Sequence, residues 1–184
     1  WGTITNTNLQ ILEQAASGYL SLNVGSGDVA LSLANHATAN GKNLYYKLTG
    51  TLSANRTVTM PDSAERVFIV EDGTTRSSSN YTLTVKTVSG TGLTLPIGST
   101  TVLYSDGTNI TGKLQTKGYY TPSTTYTTVN GDQILVDTSG SGIGTAITIN
   151  LPASPAIGNE VTFIDSGNNL ASNNLTVGRN GSNI

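Results

Sequence analysis

The sequence predicts an all-β fold, with a short N-terminal helix followed by two small β-sandwich-like units in series. Three observations carry this. Short runs with apolar residues at alternate positions recur about every ten to fifteen residues, separated by Gly, Asn, Asp or Pro. Helical spacing is confined to the first 18 residues. A composite stretch also occurs twice. Thr57-Val58-Thr59-Met60-Pro61, Val67-Phe68-Ile69-Val70-Glu71-Asp72-Gly73 and Leu83-Thr84-Val85 are echoed by Thr148-Ile149-Asn150-Leu151-Pro152, Val161-Thr162-Phe163-Ile164-Asp165-Ser166-Gly167 and Leu175-Thr176-Val177.

The helix comes first. Thr7-Asn8-Leu9-Gln10 fits a capping box, with the Thr hydroxyl accepting from the N3 amide and Gln10 reaching back. Leu9, Leu12 and Ala16 follow at i, i+3 and i+7, beside Ile11 and Ala15, and Gly18 is the stop signal. A helix of about two to three turns does not persist alone in water, so its apolar face must pack on the first β unit or on a sister chain.

From Tyr19 the period becomes two. Val29, Leu31 and Leu33 alternate with Ala30, Ser32 and Ala34 after the turn Gly25-Ser26-Gly27-Asp28. Asn35 to Asn43 is a polar loop. Strands are expected at Leu44 to Leu52, Thr57 to Met60, Arg66 to Val70, Thr82 to Val88, Leu93 to Leu95 and Thr101 to Tyr104. Asp106-Gly107 and Asn130-Gly131 are hairpin-type dipeptides. The Thr- and Tyr-rich stretch from Lys113 lacks apolar periodicity and reads as a linker. Strands resume at Gln133 to Asp137, Ala146 to Leu151, Glu160 to Asp165 and Asn174 to Val177. The expected organisation is a helical segment over 1–18, a first β unit over 19–112, a linker over 113–128 and a second, incomplete β unit over 129–184. The start at Trp1 and the early break of the second copy at Ile184 read as a piece of a longer protein.

Charged residues make up 11% of the chain, less than half the usual share of about 25%. Thr, Ser, Asn and Gly replace them, giving a surface that bonds water, sugars or neighbouring chains without salt-sensitive charge. A net charge of -2 and the lack of a basic patch argue against nucleic acid or an anionic membrane as partner. Cysteine is absent, which removes disulfides, thiol catalysis and thiolate metal sites. No run approaches the roughly 18 apolar residues of a membrane span, and no segment reads as a signal peptide. Oligomerisation is then a natural source of stability.

Candidate chemistry resolves into bland readings. Asp62/Glu65, Glu71/Asp72, Asp132/Asp137, Glu160 and Asp165 are the candidates for glycosidase carboxylates, which must stand about 5–10 Å apart across a cleft. Glu71 and Asp72 are adjacent on a strand and point to opposite faces. Aligning the two copies on their glycines pairs Glu71 with Asp165 and Asp72 with Ser166. Turn-forming bonds from Asp and Ser to the backbone ahead explain these positions better than catalysis. His36, the sole histidine, lies in a polar loop. Alone it makes neither a zinc site nor a triad, though three copies on a trimer axis would offer a metal site. Ser139-Gly140-Ser141-Gly142-Ile143-Gly144 lacks the Lys-Ser/Thr of a P-loop. Asp28, Asp106 and Asp165 lack EF-hand spacing. Asn55, Asn80, Asn109 and Asn174 open glycosylation sequons, as chance produces in so Asn- and Thr-rich a chain. Tyr45 or Tyr46 reads as core cover with its hydroxyl at the rim, and for Tyr119, Tyr120 and Tyr126 an interface or sugar-stacking role and a plain structural one stand level. No catalytic, cofactor-binding or metal residue is expected.

Particular segments resemble a known family. Trp1-Gly2-Thr3-Ile4-Thr5-Asn6-Thr7-Asn8-Leu9, with Gly18-Tyr19, resembles the start of tail fibre or virion structural proteins of tailed phages. So do Leu48-Thr49-Gly50-Thr51-Leu52 and Leu103-Tyr104-Ser105-Asp106-Gly107-Thr108-Asn109. The half from Asp132 through Leu151-Pro152-Ala153-Ser154-Pro155 to Arg179-Asn180-Gly181-Ser182 is similar to units in marine cyanobacterial phage fibres. The resemblance implies a non-enzymatic, extracellular tail appendage of the virion. It implies a homotrimer joined to other phage tail proteins, acting as a spacer and in host attachment through a surface polysaccharide or receptor. The rival readings are a polysaccharide-degrading tail spike, and a capsid decoration protein or surface adhesin.

Overall fold

A computed structural model describes residues 2–78, 80–116, 118–139 and 147–181, with 114–116 described by their backbone alone. Most of the expected Gly-rich run 139–144, the first residue of the strand expected at Ala146, and Trp1 and Ser182 of the fibre-like segments therefore lie outside the described residues. No helix among those described is long and apolar enough to cross a membrane.

The chain opens with α1 (Gly2–Ser17). The helix is already formed before Thr7, so the capping-box expectation fails. Thr7 is interior, and its hydroxyl donates back to the Thr3 carbonyl at 3.0 Å. Gly18 does end the helix. Its N–H closes on the Gln14 carbonyl at 3.0 Å, and a Cβ there would lie 2.3 Å from that carbonyl and 2.7 Å from Asn43 Oδ1. No α1 residue is buried. The Gln14 amide tethers the helix, donating to Ala39 O at 3.0 Å and accepting from Ala39 N at 3.3 Å.

The strands of the first compact unit then follow as successive circuits. The first is β1 (Tyr19–Asn23) and β2 (Val29–Ala30). The second is β3 (Tyr45–Thr49), β4 (Thr51–Leu52) and β5 (Arg56–Met60). The third is β6 (Glu65–Asp72), β7 (Thr75–Arg76) and β8 (Leu83–Thr87). Each strand lies parallel to its counterpart one circuit later. Tyr19 pairs with Tyr45 and Tyr45 with Ile69, and Val29 pairs with Val58 and Val58 with Val85. The same position is thus revisited roughly every 25 residues, within the range of solenoid repeats. The circuits end in β9 (Gly92–Thr94), β10 (Thr100–Asp106) and β11 (Ile110–Thr116), which pair antiparallel with β8, with β6 and with each other.

The second compact unit repeats the plan. Its circuits are β12 (Tyr119–Tyr120) with β13 (Tyr126–Thr127), β14 (Gln133–Val136) with β15 (Ile147–Asn150), and β16 (Thr162–Asp165) with β17 (Leu175–Gly178). Among the described residues its pairings are parallel, in the orders β12-β14-β16 and β13-β15-β17. The stretch expected as a linker, 113–128, therefore supplies the end of β11 and the whole of β12 and β13.

These pairings keep the mostly β class with its N-terminal helix and overturn the sandwich. A sandwich faces two antiparallel sheets across a core. Here the paired strands belong to successive turns of the chain, as in a β-solenoid. Gly50 shows how a corner is made. What the sequence offers as one strand from Leu44 to Leu52 breaks at Gly50, whose φ is +102°. A Cβ there would lie 2.5 Å from Asn23 Oδ1 of the circuit before. Asp106-Gly107 does form the β10–β11 hairpin, the Asp106 carboxylate accepting from Thr108 N and Asn109 N. Asn130-Gly131 instead turns a corner between β13 and β14, which do not pair.

Inward residues stack in columns. Leu20, Tyr46 and Val70 form one and Leu22, Leu48 and Asp72 the next. In the first unit Phe68, Leu83, Val85 and Leu103 are wholly buried, and each such side chain contributes about 1.5–3 kcal/mol. The second core is smaller, built on Tyr126, Ile134, Val136, Ile147 and Ile149.

Candidate functional site

Residues between the inward columns of β1, β3 and β6 point outward and form a ladder across the sheet. Tyr19 stands over Tyr45, and Ser21, Lys47 and Glu71 fall in one register row. The two tyrosine rings stack with centroids 5.8 Å apart and planes 24° from parallel. Glu71 takes both polar partners of the ladder. Lys47 Nζ is 2.8 Å from one carboxylate oxygen, and the Tyr45 hydroxyl donates to the other at 2.8 Å. The Lys47 bond, with the Tyr45 bond second, holds the Glu71 carboxyl below the usual glutamate range. In turn, each one's own bond to Glu71 raises Lys47 and raises Tyr45. Further along this face Lys113 Nζ sits 5.6 Å from the centre of the Tyr104 ring. Tyr19 is 58% exposed. An exposed aromatic face beside a neutralised acid–base pair is suited to stacking on, and hydrogen bonding with, an uncharged glycan or a neighbouring chain. Tyr45 therefore belongs to this ladder, and of the two tyrosines it is Tyr46 that covers the core. Tyr46 is a core residue, edge-on to Phe68, and burial pushes its hydroxyl up to about 12.

The candidate glycosidase acids do not form one site. Asp72 points inward and makes a buried ion pair with Arg76, at 2.6 Å, with side-chain exposures of 0% and 2%. Asp72 also accepts from Thr74 N and its hydroxyl, and Arg76 reaches the Thr74 hydroxyl and the Tyr81 carbonyl. In register one circuit earlier stand Leu48 and Leu52. A charged pair thus replaces a leucine pair at the same two inward positions.

Asp62 accepts from Ser89 N and then Ser89 Oγ, which together lower its carboxyl. Glu65 is exposed at the start of β6. Asp132 is buried and holds the Tyr126 hydroxyl at 2.9 Å and Val129 N at 2.8 Å. Asp137 accepts from Ser139 and is lowered by it. Asp165 accepts from Asn169 N and Leu170 N, and Glu160 from the Thr162 hydroxyl. These are bonds to backbone and hydroxyls at corners.

The glycine alignment of the two copies is one residue out. Gly73 N bonds Leu48 O beside the pair Leu48–Asp72, and Ser166 N bonds Val136 O beside the pair Val136–Asp165. Asp165 therefore matches Asp72, and Glu71 matches Ile164, which is not an acid. A slip of one residue exchanges the two faces of a strand.

The surface carries shallow hollows. One of about 200 Å³ lies beside His36, between Thr3, Ile4, Thr7 and Asn8. One of about 420 Å³ is lined by Gln14, Tyr19, Leu20, Thr38, Ala39, Asn40 and Asn43. The third, about 300 Å³, holds Asp62 as its lone carboxylate. Among the described residues no three His, Cys, Asp or Glu side chains converge as a metal site. The polar loop Asn35–Asn43 is pinned internally. Lys42 Nζ donates to Ala34 O and Ala37 O, and Arg66 bonds the carbonyls of Gly41, Lys42 and Asn43.

No protein-family model matches the chain, and neither a curated protein nor a solved structure does.

Proposed function

We propose that the chain is a non-enzymatic structural segment of a phage tail fibre, extracellular on the virion, serving as spacer and host-attachment element. The observation that supports it most is the stacking of circuits. Each circuit lengthens a unit by about 4.8 Å through backbone bonds, with few charges for salt to screen. Such a unit spans distance, and the resemblance in sequence to tail fibres supplies the context. A homotrimer fits the helix, whose Ile4, Leu9 and Leu12 are 71%, 58% and 64% exposed. Packing three such faces together would remove them from water. The outward ladder of Tyr19, Tyr45, Lys47 and Glu71 is the surface suited to a host polysaccharide.

Antibody against the purified chain, imaged on phage particles by electron microscopy, tests the reading. Label on tail appendages is expected, and label on the capsid or on bacterial cells alone contradicts it. Incubation with host capsule or lipopolysaccharide tests the absence of catalysis. Released oligosaccharides would replace the spacer with a polysaccharide-degrading spike.

A further inference from the structure

We propose that the hollow of about 420 Å³ beside Tyr19 is a subsite for one uncharged pyranose ring of a glycan, a refinement that rests on the attachment role proposed above. Its volume falls within the range of about 300–1,000 Å³ typical of small-ligand sites. A pyranose has a face of apolar C–H groups and an edge of hydroxyls. The face calls for an aromatic ring, and the edge for neutral donors and acceptors held in place. The hollow supplies both.

The aromatic ring is Tyr19. It is 58% exposed and lines the hollow, whereas Tyr45, which stacks on it, takes no part in the lining. One face of the Tyr19 ring is thus covered by Tyr45, and the other is left for a ligand. Tyr45 is itself held by its hydroxyl bond to Glu71, so the platform is set before anything binds. The polar wall is Gln14, Thr38 and Asn43. Gln14 is fixed by its two bonds to Ala39. Asn43 is only 4% exposed, and its amide nitrogen donates to Asn40 O at 3.2 Å. Among the described residues the Asn43 Oδ1 accepts no hydrogen bond. A nearly buried acceptor of this kind is costly without a donor, and a sugar hydroxyl in the hollow is one. Among the described residues no charged side chain lines the hollow. The nearby cations, Lys42 and Arg66, are directed at backbone carbonyls of their own neighbourhood. The walls therefore favour an uncharged sugar over an anionic one.

The test is saturation-transfer NMR on the whole chain with neutral oligosaccharides built on glucose, galactose, mannose and N-acetylglucosamine. Oligogalacturonate is the anionic counterpart. At least one neutral member should bind, and more tightly than oligogalacturonate. Tyr19→Ala removes the platform and should weaken that binding at least about ten-fold, whereas Tyr19→Phe keeps the ring and should stay within about two-fold. Thr38→Trp fills the hollow and should weaken it at least as much as Tyr19→Ala. Both positions are exposed, so an unchanged melting temperature is expected for each variant. Binding that survives Tyr19→Ala and Thr38→Trp overturns the subsite while leaving glycan attachment to another surface. Binding of no neutral member, or tighter binding of oligogalacturonate, overturns it as well. The tail-fibre reading is decided separately, by the antibody label on phage particles.

Discussion

In the first unit the third circuit is followed by β9, β10 and β11, which fold back antiparallel and cover it. In the second unit the third circuit is β16 and β17, and no described strand lies beyond it. The consequence is visible in burial. Phe68 in the covered circuit is fully buried, and Phe163 in the uncovered one is only half so. Circuits of similar pattern thus differ in stability according to what lies on their far side, as in other repeat architectures. The covered circuit also carries the Asp72–Arg76 pair in place of leucines. Asp165, at the matching position beyond it, stays exposed and bonds backbone.

The pair gives the largest expected effect. Asp72→Ala or Arg76→Met strands a buried charge and should cost the first unit about 3–5 kcal/mol in denaturant unfolding. Asp72→Leu with Arg76→Leu recreates the Leu48–Leu52 arrangement and should recover most of that loss. A double variant as unstable as either single one would show that the pair does not substitute for a leucine pair. Core truncation sharpens the contrast between units. Phe68→Ala should cost about 3–5 kcal/mol, and Phe163→Ala clearly less, because part of its ring is already in water. Equal losses would mean that the last circuit is covered in solution. Gly50→Ala forces a side chain into a left-handed corner against Asn23 and should cost about 1–3 kcal/mol, read as a lower denaturation midpoint.

The outward ladder gives the smallest effect. Glu71 has a lowered folded pKa, so its contribution is complete above the pKa of an unfolded glutamate. It is lost as pH falls through the lower folded value. Lys47 is raised, so its contribution fades as pH climbs through its folded value above 10.5. Glu71→Gln should shift Tm at neutral pH by no more than about 2 °C and flatten the acid limb of the stability profile. An unchanged acid limb would remove Glu71 from the account.

How much of this was legible follows from what alternation encodes. Alternating residues state which side chains face inward, so β5, β6, β8 and β10 were readable near their true positions. Alternation does not state which strand is the neighbour, and a sandwich and a stacked circuit share it. The missed signal was the short repeat inside each unit. Leu48 and Leu52 are four apart, as are Asp72 and Arg76, and each occupies one corner of one circuit. The longer echo between Val67–Gly73 and Val161–Gly167 drew attention to duplication instead, and its glycines aligned opposite faces. β12 and β13 escaped notice because two-residue strands carry no period. The ladder was half visible: Tyr45 and Glu71 each stood out in the sequence, but Tyr19 meets Tyr45, and Glu71 meets Lys47, only across circuits.

The parallel stacking of successive circuits is the claim on which the rest depends, and spin-label spectroscopy tests it directly. The chain has no cysteine, so paired labels can be placed without background. Ser21 with Lys47 and Thr148 with Thr176 are register partners on outward faces, one in each unit. Adjacent strands lie about 4.8 Å apart. Strong dipolar broadening in both doubly labelled proteins, absent from the summed single-label spectra, is the predicted result. Unbroadened spectra in either protein would contradict the stacked circuits in that unit.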